Sequence, residues 1–211
     1  MIRVLLADDH LMVRKGLKQI LEGTADIMVS NEVGNGPDVL KKCEKEEYDV
    51  VLLDILMPGM SGLDVLKQLK ISRPGLKVLI LSMYAERQYA TRCLKAGAWG
   101  YLTKENAPEE LIVAIRKVSS GRKYISASLA EELADGLDTD PDDSPHKTLS
   151  DREFQVVRLI ASGKTVKEVA ASLSLSVKTI STYRRRALEK MRMKNNAELM
   201  RYMIERGLTN G

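Results

Sequence analysis

Two patterns of hydrophobic residues alternate along the first 120 residues of the chain. Short aliphatic runs are followed by longer segments in which apolar residues recur every three or four positions, as Leu63, Leu66 and Leu69 do. The runs are typical of buried strands, and the spaced residues are typical of helices that bury one face. Five such pairs are present, and the predicted strands lie near Ile2–Ala7, Ile27–Val33, Val50–Leu53, Val78–Leu81 and Trp99–Leu102.

Alternation of strands and helices predicts a mainly parallel sheet, because two parallel neighbours need a crossover connection that usually contains a helix. We therefore expect an α/β fold for residues 1–120, with a doubly wound, five-stranded parallel sheet. The order of the strands in that sheet does not follow from the pattern.

The pattern changes after residue 120. Residues 121–147 hold a short helical stretch near residues 129–137 and then the segment DTDPDDSPHKT, which is acidic, contains proline and has no apolar periodicity. These features predict a linker that contains a short helix.

Residues 148–211 carry helix signals only. Ser150, Thr165 and Asn195 each stand three residues before a glutamate, which is the spacing of a capping box, and Ser176 is a further capping residue. We expect a small all-α domain of four helices. The three-residue loop SLS joins the second helix to the third, and so short a connection predicts a helix-turn-helix.

Composition and charge add two expectations. Hydrophobic residues make up 44% of the chain, and it has neither an apolar run long enough to span a membrane nor a signal-peptide pattern, so we expect a cytoplasmic protein without a membrane partner. Residues 148–211 contain 13 lysines and arginines against 6 aspartates and glutamates, whereas residues 1–147 contain 20 against 23. This asymmetry indicates that the C-terminal part contacts a polyanion.

Polar residues follow four of the predicted strands. Asp8 and Asp9 follow the first strand, Asp54 the third, Ser82 the fourth and Lys104 the fifth. The carboxyl ends of parallel strands meet at one edge of a sheet, where open α/β folds bind ligands, so we expect these side chains to converge. A single aspartate at a strand end is more often a helix cap, but the whole set favours a ligand site.

The converging groups predict phosphoryl chemistry. Carboxylates packed together need a cation, and Mg2+ suits them because it prefers oxygen ligands and keeps waters that a phosphate can displace. Lys104 and Ser82 can hold phosphoryl oxygens, and Asp54 is the candidate nucleophile. His10 begins the next helix and has no histidine partner for metal binding, so we interpret it as a structural residue.

Several motifs carry a resemblance to a known family. ADDH, LLDILMPGMSG, LILS and GYLTK resemble the receiver domain of two-component response regulators over residues 1 to about 120. The segment LSDREFQVVRLIASGKTVKEVAASLSLSVKTISTYRRRALEKM resembles the LuxR-type helix-turn-helix. In this order the two resemble the NarL/FixJ family of transcriptional regulators, over nearly the whole chain. The resemblance to a receiver implies that the predicted sheet is of the flavodoxin-like type.

The resemblance implies a phosphorylation site with a metal ion. Asp54 would be the phosphoacceptor and would take the phosphoryl group from a sensor histidine kinase. Asp9, Asp54 and the backbone carbonyl of Leu56 would bind Mg2+, and Asp8 would do so mainly through water.

The resemblance also implies a switch. Ser82 and Lys104 match the phosphate contacts of the family, and Tyr101, three residues before the lysine, matches its aromatic switch residue. Phosphorylation would draw Ser82 and then Tyr101 inward. An aromatic residue on a strand would equally serve as part of the core.

The third C-terminal helix has two faces on a helical wheel. Its apolar face holds Val177, Ile180, Ala187, Leu188 and Met191. Its polar face holds the candidate DNA contacts, which are Lys178, Thr179, Ser181, Thr182, Arg185 and Arg186. Such a face can bind phosphates and reach base edges in the major groove. Arg184 falls nearer the apolar face, where it either packs its stem or reaches a phosphate.

These features predict a transcriptional regulator that forms a homodimer and binds double-stranded DNA when Asp54 is phosphorylated. We do not expect an enzyme, beyond a receiver that assists its own phosphorylation and dephosphorylation. Two alternatives stay open. One is a Mg2+-dependent phosphohydrolase, although the usual DxD arrangement is absent because the acidic pair is adjacent; the other is a dimer that binds DNA independently of phosphate.

Overall fold

The computed structural model describes residues 1–83, 86–105, 107–127, 129–131 and 144–209. The chain divides into two compact units, Met1–Asp138 and Thr139–Gly211. Within the described part of the chain, every helix is too short or too polar to cross a membrane.

The N-terminal unit alternates strands and helices, as its hydrophobic pattern predicts. Its strands are β1 (Ile2–Ala7), β2 (Ile27–Val33), β3 (Val50–Asp54), β4 (Lys77–Ser82) and β5 (Gly100–Thr103). Its helices are α1 (Leu11–Glu22), α2 (Gly36–Lys45), α3 (Gly62–Ser72), α4 (Glu86–Lys95) and α5 (Ala107–Ser119). The predicted α/β fold is confirmed.

The five strands form one parallel sheet in the order β2-β1-β3-β4-β5. Its central strands are buried on both faces, and Leu5, Leu52 and Ile80 are all 0% exposed. Burial on both faces explains why these runs are continuously aliphatic rather than alternating. The chain turns from β1 to β2 on one side and returns as β3 on the other, so a crevice opens at the carboxyl ends of β1 and β3.

The chain returns to the sheet after α5. The Tyr124 amide donates a hydrogen bond to the Trp99 carbonyl at 2.8 Å, and Tyr124 forms a parallel bridge with Gly100 of β5. Residues 127 and 129–131 are helical, and the rest of the helix predicted near 129–137 lies outside the described residues.

The C-terminal unit is entirely helical over its described residues. It opens with a 3-10 helix, Pro145–Thr148, so secondary structure begins within the segment that the sequence marks as a linker. Four α-helices follow, as predicted: α6 (Asp151–Ala161), α7 (Val166–Leu173), α8 (Val177–Lys190) and α9 (Asn196–Glu205).

The predicted caps define the starts of these helices. Ser150 and Thr165 form complete capping boxes, and Ser176 and Asn195 cap α8 and α9 with their side chains. Between α7 and α8, Ser174 adopts the left-handed conformation with φ of 53°, which reverses the chain within three residues. Helices α7 and α8 therefore form the predicted helix-turn-helix.

Candidate functional site

Three aspartates meet at the crevice between β1 and β3. Asp8 and Asp9 directly follow β1, and Asp54 is the last residue of β3, which pairs with β1. The side chains of Asp8 and Asp54 are 1% and 2% exposed, whereas that of Asp9 is 30% exposed. One ligand atom from each aspartate, together with a ring nitrogen of His10, lies within 4.8 Å of all the others. The convergence predicted for the carboxylates is present.

Lys104 lies between the two buried carboxylates. Its ammonium nitrogen is 2.6 Å from Asp8 Oδ2 and 2.8 Å from Asp54 Oδ2. Burial alone would lower the pKa of Lys104, but attraction by the two carboxylates outweighs burial and raises that pKa above the ordinary lysine value. Lys104 is therefore a fixed positive charge in the pocket.

Asp54 has an unusual environment for a carboxylate. Burial and the charge of Asp8 raise the pKa of Asp54 to about 6, although Lys104 and the Leu56 amide, which donates to Asp54 Oδ1 at 3.2 Å, favour the ionised form. A further cation in the pocket would stabilise the ionised form of this buried carboxylate. The pocket thus stabilises positive charge, and its oxygen donors fit Mg2+.

Ser82 and Tyr101 occupy the neighbouring strands. Ser82 ends β4 and is fully buried, and its carbonyl accepts a hydrogen bond of 2.7 Å from the Lys104 amide. Tyr101, in β5, is also fully buried and is paired in register with Ile80. Because β3, β4 and β5 are adjacent, Asp54, Ser82 and Lys104 follow one another along the same edge of the sheet.

Gly62 fixes the backbone on the other side of Asp54. Its amide donates to the Ile55 carbonyl at 2.9 Å, and a Cβ atom built on Gly62 would lie 1.9 Å from the Asp54 carbonyl oxygen. The start of α3 therefore packs directly against the backbone of β3, and no side chain fits between them.

Helix α8 exposes the residues predicted to face DNA. Lys178, Arg185 and Arg186 are exposed, and Thr179, Ser181 and Thr182 are partly exposed. Arg185 Nη1 contacts Glu189 Oε1 at 3.2 Å, one helical turn away. Most of the cationic side chains on this face are therefore accessible to an external anion.

The opposite face of α8 packs on the unit only in part. Ile180, Ala187 and Met191 are buried as predicted, and Leu188 is partly exposed. Val177 is 47% exposed because it stands in the first turn of α8, at the edge of the core. Arg184 is half-buried, and its Nε is buried without a hydrogen-bond partner among the described residues. The stem of Arg184 therefore packs against the unit, one of the two roles expected from the wheel.

The comparisons with known proteins match both units. The model of the response regulator receiver domain matches residues 4–116, and the model of the bacterial regulatory proteins of the luxR family matches residues 147–203. The chain belongs to the NarL/FixJ family of response regulators. This response regulator joins a receiver domain to a LuxR-type DNA-binding domain and acts in transcription regulation.

The response regulator is similar to two characterised relatives over its whole length. It is 38% identical over 211 residues to the response regulator UvrY of Escherichia coli K12, with 100% of this chain and 97% of UvrY covered. It is 37% identical over 211 residues to the response regulator GacA of Pseudomonas aeruginosa, with 100% of this chain and 99% of GacA covered.

Solved structures of RcsB resemble the response regulator across both domains. RcsB from Salmonella enterica serovar Typhimurium, bound to promoter P1flhDC in the presence of phosphomimetic BeF3−, has a TM-score of 0.68 at 28% identity, with 97% of this chain and 98% of that chain covered. A structure of two RcsB dimers bound to two parallel DNAs has a TM-score of 0.59 at 28% identity, with coverage of 96% of this chain and 98% of that chain.

Sequence reasoning missed one contact at each of the two candidate sites. The His10 ring, interpreted as structural, places Nδ1 2.8 Å from Asp9 Oδ1. Lys190, at the end of α8, contacts the buried carboxylate of Glu153 on α6 at 2.6 Å. The motif DDH gave a signal for the first contact, whereas the second joins residues 37 positions apart and left no local pattern.

Proposed function

We propose that this response regulator accepts a phosphoryl group on Asp54 from a sensor histidine kinase, and that phosphorylation favours a homodimer that binds double-stranded DNA. The observation that carries the proposal is the Lys104 ammonium, 2.8 Å from Asp54 inside a buried group of carboxylates. That arrangement places a nucleophile beside a fixed cation, which is what a phosphoryl group requires.

Mg2+ is the proposed cofactor of the transfer. Asp9, Asp54 and the backbone carbonyl of Leu56 would hold the ion, and Asp8 would contact it mainly through water. Bound there, Mg2+ supplies charge neutralisation for the phosphoryl oxygens. The oxygen-only character of these donors supports this assignment.

The transfer itself needs only this chain's nucleophile and its phosphate contacts. A P–O bond forms to the Asp54 carboxylate while the P–N bond to the kinase histidine breaks, and the histidine leaves with its electron pair. Lys104 and Ser82 bind the phosphoryl oxygens. Through the same contacts the receiver assists both its own phosphorylation and the later hydrolysis of the acyl phosphate on Asp54.

Phosphorylation would then change the positions of residues in β4 and β5, and through them favour dimer formation. Ser82 moves toward the phosphoryl group, Tyr101 follows, and the surface around β5 changes, which shifts an existing equilibrium toward the dimer. RcsB has been solved bound to a promoter in the presence of a phosphomimetic, and as dimers bound to DNA, which supports the proposed link between phosphorylation, dimers and DNA binding.

We assign the three parts of this function to three consecutive segments of the chain. Residues 1–120 form the receiver, residues 121–147 the linker, and residues 148–211 the DNA-binding domain. Helix α8 would enter the major groove, with contacts from Lys178, Thr179, Ser181, Thr182, Arg185 and Arg186. The exposure of this face supports the assignment.

Phosphorylation of an Asp54→Asn variant tests the acceptor. Incubation with acetyl phosphate and Mg2+ should add one phosphoryl group to the natural chain and none to the variant, as measured by mass spectrometry of the intact protein. Asp38→Asn is the matched control, because Asp38 is an exposed acid in the first turn of α2. Full phosphorylation of Asp54→Asn would refute the assignment.

DNA affinity and oligomeric state, with and without Mg2+ plus BeF3−, test the coupling. We expect BeF3− to favour the dimer and to tighten DNA binding by about tenfold, which corresponds to a typical coupling free energy. Equal affinity in both conditions would instead support the alternative of a dimer that binds DNA independently of phosphate.

A further inference from the structure

We propose that His10 supplies a nitrogen ligand to the cation site of the receiver, and that this ring raises the affinity of the site for first-row transition ions such as Mn2+ and Co2+ relative to Mg2+. The inference rests on the Mg2+ site of the proposed function and adds one residue to it. It replaces the purely structural role that the sequence indicates for His10.

The geometry places His10 at ligand spacing from the acidic pair. Its Nδ1 is 2.8 Å from Asp9 Oδ1 and 3.3 Å from Asp8 Oδ1, and the donor atoms of these residues and Asp54 all lie within 4.8 Å of one another. An octahedral ion with bonds of about 2.1 Å sets neighbouring ligands about 3.0 Å apart and opposite ligands about 4.2 Å apart. The His10 nitrogen therefore already stands where a neighbouring ligand belongs.

The backbone holds His10 in this position independently of its ring. The His10 amide donates to Asp8 Oδ1 at 2.8 Å, and its carbonyl accepts from the Arg14 amide at 3.0 Å in the first turn of α1. His10 is the N-cap residue of α1, but among the described residues its side chain makes no capping hydrogen bond. The ring is thus not needed to start the helix, and the contacts that it makes are with the carboxylates.

Ligand chemistry determines which ions gain from this ring. Mg2+ prefers oxygen ligands, whereas imidazole binds transition ions with an affinity that rises from Mn2+ to Co2+ and Ni2+. The His10 side chain is 61% exposed, so it can turn toward a bound ion without disturbing the core. Loss of the ring should therefore weaken Co2+ binding by at least tenfold and Mg2+ binding by less than threefold.

Metal titrations of the whole chain test this preference. Isothermal titration calorimetry with Mg2+ and Co2+ is compared for the natural protein and for His10→Asn, which keeps a polar N-cap residue. The protein has two histidines, and His146→Asn in the C-terminal unit is the matched control. An unchanged ratio of Co2+ to Mg2+ affinity in His10→Asn would overturn the inference.

Pulsed EPR of bound Mn2+ gives a direct readout of the ligand. A histidine nitrogen bound to Mn2+ couples its 14N nucleus to the electron spin, and we expect this coupling in the natural protein and in His146→Asn. The coupling should vanish in His10→Asn. If it persists there, or if the natural protein lacks it, His10 is not a ligand.

An Asp9→Asn variant separates this inference from the proposed function. Loss of both Mg2+ and Co2+ binding in Asp9→Asn is expected if the acidic pocket is the cation site. Unchanged Mg2+ binding in Asp9→Asn would refute that cation site, and with it both the Mg2+ assignment of the proposed function and the role of His10. Loss of binding in Asp9→Asn, with no change in His10→Asn, would refute only the role of His10.

Discussion

Lys104 and Arg185 are cations at the two proposed sites, but the Lys104 side chain is 6% exposed and that of Arg185 is 69% exposed. Lys104 bridges two buried carboxylates, whereas Arg185 contacts one exposed glutamate. Exposed ion pairs contribute little because water and salt screen them, but a buried charge that loses its partner is strongly unfavourable. In the receiver, the buried cation holds Asp8 and Asp54 in place, whereas the cations of α8 remain accessible to an external anion.

Removal of the buried cation is the largest expected perturbation. Lys104→Met leaves Asp8 and Asp54 side by side without a counter-charge, and should lower the free energy of unfolding by about 4 kcal/mol at neutral pH. Without Lys104 the folded-state pKa of Asp54 rises further, so the loss should shrink as the pH falls and Asp54 binds a proton. Urea unfolding at pH 7 and pH 5 measures both effects. Lys15→Met, which removes an exposed lysine of α1, should change stability by less than about 0.5 kcal/mol.

A change of the backbone contact beside Asp54 should have the next largest effect. Gly62→Ala forces a Cβ atom against the Asp54 carbonyl, and should lower the free energy of unfolding by about 3 kcal/mol. Gly16→Ala is the control, because a Cβ atom on Gly16 in α1 meets no atom within 4 Å, and the change should raise stability by about 1 kcal/mol. Equal effects of the two substitutions on thermal unfolding would contradict the close packing of α3 against β3.

The Lys190–Glu153 pair lies between the two extremes, with side chains 42% and 4% exposed. Lys190→Met should lower the stability of the C-terminal unit by about 1 kcal/mol. Burial opposes ionisation of Glu153, but Lys190 and Ser150 outweigh burial and lower its pKa. Because the pKa of Glu153 is lower in the folded state, its ionised carboxylate stabilises the protein at pH values above the ordinary glutamate pKa, and this stabilisation is lost as the pH falls. Lys190→Met removes part of it, so the variant should begin acid unfolding at a higher pH. An unchanged acid transition, followed by circular dichroism, would show that Lys190 does not stabilise ionised Glu153.

The exposed arginine should affect stability least. Arg185→Ala should change the free energy of unfolding by less than about 0.5 kcal/mol, while weakening DNA binding and lowering its salt slope by about 0.9 if the arginine contacts one phosphate. Arg201→Ala is matched to it, because Arg201 also pairs with a glutamate one turn away, on α9. DNA affinity is measured at several salt concentrations. If both variants keep the salt dependence of the natural protein, Arg185 does not contact a DNA phosphate.

Much of the receiver site could be predicted because its residues stand at repeated structural positions. Asp54, Ser82 and Lys104 each come at or just after a strand end, and parallel strands bring such ends to one edge. The strand order was not predictable, because crossover connections of similar length permit several arrangements. The helix starts at Ser150 and Thr165 were predictable because a capping box is a local interaction.

The misses involve exposure and contacts between elements. A helical wheel assigns Val177 to the apolar face but does not show where the core ends. Val177 lies at that edge and is therefore largely exposed. His146 stands in the polar, proline-containing segment DTDPDDSPHKT, which gives no packing signal, yet its Nδ1 lies 2.8 Å from the hydroxyl of Tyr202 on α9. Such contacts depend on the tertiary arrangement of distant segments, which periodicity does not encode.

Ser174 has a consequence for the mechanics of the DNA-binding domain. A left-handed conformation costs a residue other than glycine roughly 1 kcal/mol, so the packing of α7 and α8 has to maintain it. The packing of the two helices therefore defines the angle between them before DNA is present. If α8 is the recognition helix, as proposed, DNA binding should lose little conformational entropy at this corner, which leaves more of the contact energy for discrimination between sequences.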